Sequence, residues 1–117
     1  MVLAALVAVE LGVGMAEVRK EPERASDDDQ WLIQRTPPDY RDRNVLMAVR
    51  RSQIRPGDRV LFVDDWVATG GQLRACAQLV NQAEAHWVGA AVLVDGLEQS
   101  AVRRELGVRS LMHIREL

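Results

Sequence analysis

The sequence predicts an α/β domain with a mainly parallel central sheet flanked by helices. Three observations carry this. Strand-patterned and helix-patterned stretches alternate along the chain, the order that packs helices against a parallel sheet. Val60, Leu61, Phe62 and Val63 form an unbroken apolar run, the pattern of a short strand buried on both faces. Just after it, Leu73, Cys76, Ala77, Val80 and Ala83 recur at the spacing of an amphipathic helix. With 117 residues, 48% of them apolar, the chain makes one modest domain over residues 1–117 with a real core.

Residues 1–11 are apolar nearly all round, with Glu10 near the end and Gly12 behind it. No basic region precedes the run, as a secretory signal requires. A membrane span needs roughly 20 apolar residues, about twice this run. A buried helix stopped by Gly12 is the reading. Gly12 and Gly14 follow a helix instead of a strand, the reverse of a dinucleotide loop. Residues 13–18 read as a strand leading to Arg19 and Lys20. Residues 21–29, EPERASDDD, form a polar, acidic loop whose three aspartates are a solvated run. Residues 30–35 and 44–50 read as strands, set apart by Pro37-Pro38 and a polar stretch, hence a hairpin-like pair. Residues 54–58 turn the chain into the central strand. After the helix at 73–83, residues 86–94 give a strand ending at Asp95-Gly96. A short helix at 98–106 stops at Gly107, and 108–114 is the last strand. Cys76 falls on the buried face of its helix, where thiols are inert. His86 and His113 have no second ligand at helix or strand spacing and read as structural or surface residues.

Asp64 and Asp65 stand where the apolar run ends. Ala68, Thr69, Gly70, Gly71 and Gln72 then make a small-residue loop leading into the helical pattern. A strand end, two carboxylates and a glycine loop at a helix start are the parts of a sugar-phosphate site. The helix start offers unpaired N–H groups and a partial positive charge. The glycines let backbone amides come close to an anion, and Thr69 adds a hydroxyl donor. The carboxylates accept from vicinal hydroxyls or face a hydrated divalent cation. The plainer alternative has the two aspartates finishing a strand and capping a turn hinged at Gly70-Gly71.

The string RVLFVDDWVATGGQL, residues 59–73, closely resembles the phosphoribosyl-pyrophosphate (PRPP) motif of the type I phosphoribosyltransferases, adenine phosphoribosyltransferases most of all. That motif is a hydrophobic run, two acidic residues, a short spacer and a Thr-Gly-Gly loop. The resemblance implies that Asp64 and Asp65 are the catalytic pair holding the ribose hydroxyls. It implies that Ala68, Thr69, Gly70, Gly71 and Gln72 surround the 5′-phosphate; Gln72 stands where the family usually has Thr or Ser. LGVGMAEVRK, residues 11–20, looks like the family segment that enters the active-site loop, which puts Arg19 and Lys20 near pyrophosphate and base. Two solvated strand-end cations are the alternative. Residues 21–29 would take the place of a mobile catalytic loop that is usually basic and glycine-rich. Asp95-Gly96 would lie beside the base site, or be a simple turn. The resemblance also implies a first central strand and pyrophosphate loop ahead of Met1, so the expected fold is type I phosphoribosyltransferase-like, lacking the N-terminal part.

The expected function is transfer of a phosphoribosyl group from PRPP to a purine base, adenine first, giving a nucleoside 5′-monophosphate and pyrophosphate. Mg²⁺ would come with PRPP, with no metal ligand assigned directly on the protein. The alternative is a catalytically degenerate module that binds PRPP or a nucleotide for regulation. The acidic 21–29 segment and the missing loop favour binding over turnover. A receiver-type signalling domain also uses paired carboxylates but needs a late lysine, and no lysine follows Lys20. Net charge is −2, with no basic excess for nucleic acid. The single cysteine leaves no internal disulfide and no cysteine-cluster metal site, which fits the cytoplasm. No membrane partner is expected. A very apolar first helix beside a short sheet points to a homodimer.

Overall fold

The structure is a computed structural model that describes residues 2–20, 30–36, 45–68 and 70–117. The chain opens in α1 (Val2–Leu11), followed by the short β1 (Arg19–Lys20), β2 (Trp31–Arg35) and β3 (Leu46–Arg50). Then come β4 (Arg59–Val67), α2 (Gly71–Gln82), β5 (His86–Asp95), α3 (Ser100–Leu106) and β6 (Val108–His113). Two sheets result. One is antiparallel in the order β1-β3-β2, and the other is parallel in the order β4-β5-β6. The predicted hairpin-like pair is present, with Trp31 opposite Arg50 and Arg35 opposite Leu46. The 21–29 loop lies outside the described residues.

The helix α2 holds the two sheets together. Cys76, Leu79, Val80 and Ala83 pack with Leu32, Met47 and Val49 of the antiparallel sheet. Leu73, one turn earlier, packs with Ala90, Val92, Val102, Leu106 and Val108 on the parallel side. Phe62 and Trp87 touch both groups, their rings stacked with centroids 6.0 Å apart. The indole of Trp87 donates to the Leu106 carbonyl at 2.8 Å, which satisfies its polar atom among apolar neighbours. The periodicity seen in the sequence is therefore the face that is buried, and burial pushes the Cys76 thiol up to about 12.

Three expectations need correction. Residues 13–18 are not a strand: only Arg19 and Lys20 pair with β3, opposite Ala48 and Met47. The ladder stops there because the Glu17 N–H is taken by the Gln53 side-chain carbonyl at 3.1 Å. The helix α1 forms and ends at Gly12 as expected, yet none of its residues is buried, and Val2 and Val9 are 74% and 81% exposed. An apolar sequence sets helix and hydrophobicity, but burial needs a neighbour on each side. The central strand is likewise not buried on both faces. β4 is an edge strand, and Leu61 is partly exposed.

Candidate active site

The strand β4 does not end at the acidic pair. Its ladder with β5 continues through Asp64 opposite Val92, Trp66 opposite Val94 and Val67 opposite Asp95. Alternation along a strand then sends Asp64 and Trp66 to one face and Asp65 to the other. The Asp64 face carries Phe62, Ala90, Val92 and Val108 and is the face covered by α2 and α3. The two carboxylates are thus not equivalent. Asp64 lines an open cleft of about 1460 Å³ shared by residues of α1, β4 and the start of α2, and Asp65 does not.

At the carboxyl end of β4 the chain turns through Gly70 into α2. Gly70 is the residue before the helix, with φ of 83°, a left-handed conformation that costs glycine nothing. A Cβ there would also stand 3.1 Å from Val102 Cγ1. Gly70 brings no side chain to cap the helix start, so the positive end of the α2 dipole faces the cleft without a side-chain cap from this residue. Ala68, Gly70, Gly71 and Gln72 all line the cleft with Asp64, and so does Lys20 from β1. Thr69 lies outside the described residues. Arg19 is turned away: it lines a separate small recess and pairs with Glu17 at 3.6 Å. Of the sequence-derived set, the described residues other than Asp65 and Arg19 are therefore brought together.

The carboxyl group of Asp64 is held above the usual aspartate range. Partial burial is the main cause, and the neighbouring Asp65 adds to it. The Asp65 N–H, 2.8 Å from Asp64 Oδ1, and the Lys20 charge act in the opposite direction. A carboxylate, an ammonium and the amino end of a helix on one cleft make an arrangement that takes a polyhydroxylated, multiply charged anion. Among the described residues, no three His, Cys, Asp or Glu side chains converge on one point.

Two features escaped the sequence reading. Trp66 stands between the acidic pair and the loop and lines the cleft while 43% exposed. Period-two alternation from Asp64 would have placed it there. Asp95, at the end of β5, is buried to 2% exposure, accepts from the Leu97 N–H at 2.8 Å and pairs with Arg103 of α3. Arg103 also donates to the Leu97 carbonyl at 3.2 Å and lies 3.4 Å from His113 Nε2. Asp95-Gly96 is thus more than a simple turn: it is a clamp that ties the end of β5 to α3.

A family model described as the phosphoribosyl transferase domain matches residues 1–114. The chain belongs to this family. The adenine phosphoribosyltransferase of Acidothermus cellulolyticus is 37% identical to it over 97 residues, covering 80% of this chain and 50% of that protein. The crystal structure of adenine phosphoribosyltransferase from Rhodothermus marinus matches with a TM-score of 0.79 at 28% identity, over 97% of this chain and 63% of that one. The Saccharomyces cerevisiae enzyme, complexed with D-2,5-dideoxy-2,5-imino-altritol 1,6-bisphosphate and adenine, matches with a TM-score of 0.73 at 26% identity, over 93% and 58%. The chain spans about half the length of the curated relatives it matches. Its fold is that of the type I phosphoribosyltransferases.

Proposed function

We propose that this phosphoribosyltransferase-family chain binds PRPP and transfers its phosphoribosyl group to a purine base, adenine first, releasing pyrophosphate. The observation that carries this reading is the convergence of Asp64, Lys20 and the α2 start on one cleft at the carboxyl end of a parallel strand, the usual ligand position in such sheets. The names of the relatives, and the adenine in the yeast complex, support adenine as the base. The 5′-phosphate sits on the α2 start, where the bare backbone of Gly70 and Gly71 lets it approach. Asp64 accepts from the ribose hydroxyls. Lys20 offsets part of the pyrophosphate charge. In the reaction the bond from C1′ to the pyrophosphate oxygen breaks with its electron pair leaving on pyrophosphate. A base nitrogen bonds to C1′ and gives up its proton to the departing pyrophosphate. Mg²⁺ suits one carboxylate plus phosphate oxygens, and Asp64, the cleft carboxylate on β4 that precedes the α2 loop, would complete that set. When bound, the ion supplies charge neutralisation on pyrophosphate. Cytoplasmic purine salvage is the setting this chemistry implies.

A second reading, a module that binds PRPP or a nucleotide for regulation, is favoured by Arg19, which is paired with Glu17 and does not line the cleft. A coupled assay with PRPP, Mg²⁺ and adenine separates the two. AMP formation dependent on all three components supports transfer, whereas saturable PRPP binding without AMP supports the regulatory module.

Because only Asp64 faces the cleft, Asp64→Asn is expected to weaken ribose 5-phosphate binding about tenfold, the scale of a hydrogen bond to a charged group. Asp65→Asn should change it less than about threefold. Both residues are exposed, so both variants should melt like the parent. Calorimetry showing the reverse order would place the ribose on the other face of β4.

A homodimer is also expected. All-parallel sheets are covered on both faces, but Leu61, Leu93 and Leu111 share an outer face and are 40%, 39% and 79% exposed. Together with α1 they leave a broad apolar surface. Light scattering should give about twice the 13.1 kDa chain mass, and a constant monomer mass at all concentrations would show that these residues stay in water.

A further inference from the structure

The glycine that turns the chain into α2 is backed from one side. A Cβ built on Gly70 would meet Val102 Cγ1 at 3.1 Å, Leu97 Cδ2 at 3.4 Å and Val102 Cβ at 3.9 Å. The segment that joins β5 to α3 therefore lies directly against this glycine. Leu97 and Val102 are both buried and belong to one packed cluster. The Gly70 carbonyl accepts from the Arg74 N–H at 2.8 Å, a bond that sets where α2 begins. Both backbone groups of Leu97 are held by the Asp95–Arg103 pair. Its N–H donates to Asp95 Oδ1 at 2.8 Å, and its carbonyl accepts from Arg103 Nη2 at 3.2 Å. Arg103 also donates to Asp95 Oδ2, and it directly follows Val102 in the chain. One ion pair thus fixes both residues that touch Gly70.

We infer that Asp95 and Arg103 are positioning residues for the phosphate site: through Leu97 and Val102 they hold Gly70, and with it the start of α2, in the geometry that takes a sugar 5′-phosphate. The inference rests on the reading that the α2 start receives that phosphate. Gly70 and Gly71 line the open cleft, so the loop is supported from the α3 side. A buried ion pair adds little stability over apolar residues of its own volume. Its directional bonds do set geometry, and backbone donors serve an anion best when they are held in place before it arrives. Asp95 and Arg103 themselves stay out of the cleft and act through their neighbours.

The test is calorimetry with ribose 5-phosphate on the parent chain, Arg103→Ala, Arg103→Lys and Leu32→Ala, at a temperature where circular dichroism shows each folded. Leu32 is buried in the antiparallel sheet and does not line the cleft, so its truncation lowers the melting point without touching the loop. Arg103→Ala should bind about tenfold more weakly than the parent, and Leu32→Ala should bind as the parent does. Arg103→Lys keeps a cation for Asp95 but not the fork that also reaches the Leu97 carbonyl. It should melt close to the parent and still bind about threefold more weakly, a separation of affinity from stability that a purely structural pair would not show. Parent-like affinity in folded Arg103→Ala, or an equal loss in Leu32→Ala, overturns the positioning role and leaves the phosphate assignment standing. Should Arg103→Ala not fold, parent-like affinity in Arg103→Lys overturns it instead. Failure of the parent to bind ribose 5-phosphate overturns both.

Discussion

Arg103→Ala should lower the stability of the chain by about 3 kcal/mol, a large share of the roughly 5–15 kcal/mol that holds a domain of this kind together. The loss does not come from the guanidinium alone, which is partly in water. It comes from Asp95, whose carboxylate is almost fully buried and would be left with the Leu97 N–H as its remaining close donor. The Leu97 carbonyl would lose a donor at the same time. Urea denaturation of parent and variant measures the difference, and a change below about 1 kcal/mol, the size of a surface pair, would mean that water replaces the arginine. The pair also sets a pH dependence. Burial by itself raises the Asp95 pKa, but the hydrogen bonds from Arg103 and Leu97 and the charges of Arg103 and His113 more than reverse this, so it lies below the ordinary value of 3.8. A carboxyl group with a depressed folded-state pKa stabilises the fold above its unfolded pKa and loses that contribution as pH falls through the folded value. Stability should therefore fall as pH drops below about 4, and Arg103→Ala should flatten that limb of the curve.

Gly71→Val should abolish binding of ribose 5-phosphate and PRPP. Gly71 is the first residue of α2 and lines the cleft. A branched Cβ at that place holds a phosphate oxygen away from the amides, and charge-assisted hydrogen bonds weaken steeply once the donor distance grows. The first helical position tolerates many residues, so the helix itself should survive. Circular dichroism and melting should match the parent while calorimetry shows no heat. Unchanged affinity in a folded Gly71→Val protein would move the phosphate to another part of the cleft.

The fold and the site were readable in the sequence to different depths. The order β4, α2, β5, α3, β6 was legible because each element carries its own period and its own stop, as with Gly107 in its left-handed conformation after α3. The face of α2 was legible for the same reason. Exposure of α1 was not, since a run such as residues 2–11 reads identically whether or not something lies over it. Residues 13–18 begin and end in valine, but a strand also needs a partner, and the Glu17–Gln53 contact ends the pairing. Asp64, Gly70 and Gly71 were found from residue type and spacing. The separation of Asp64 from Asp65 was hidden by the assumption that the strand stops at the pair; two further ladder residues decide which face each takes. The clamp joining Asp95 to Arg103 spans a turn and the start of a helix, and the seven residues between them give no periodic signal.

The central claim is that one cleft, lined by Asp64 of β4, receives the phosphoribosyl group with its phosphate on the start of α2. Calorimetric titration of PRPP with Mg²⁺ into the 117-residue chain tests it most directly. Saturable binding with one site per chain, lost in Gly71→Val and weakened in Asp64→Asn but not in Asp65→Asn, is the predicted result. Absence of binding by the folded parent chain, or binding that survives Gly71→Val, would contradict it.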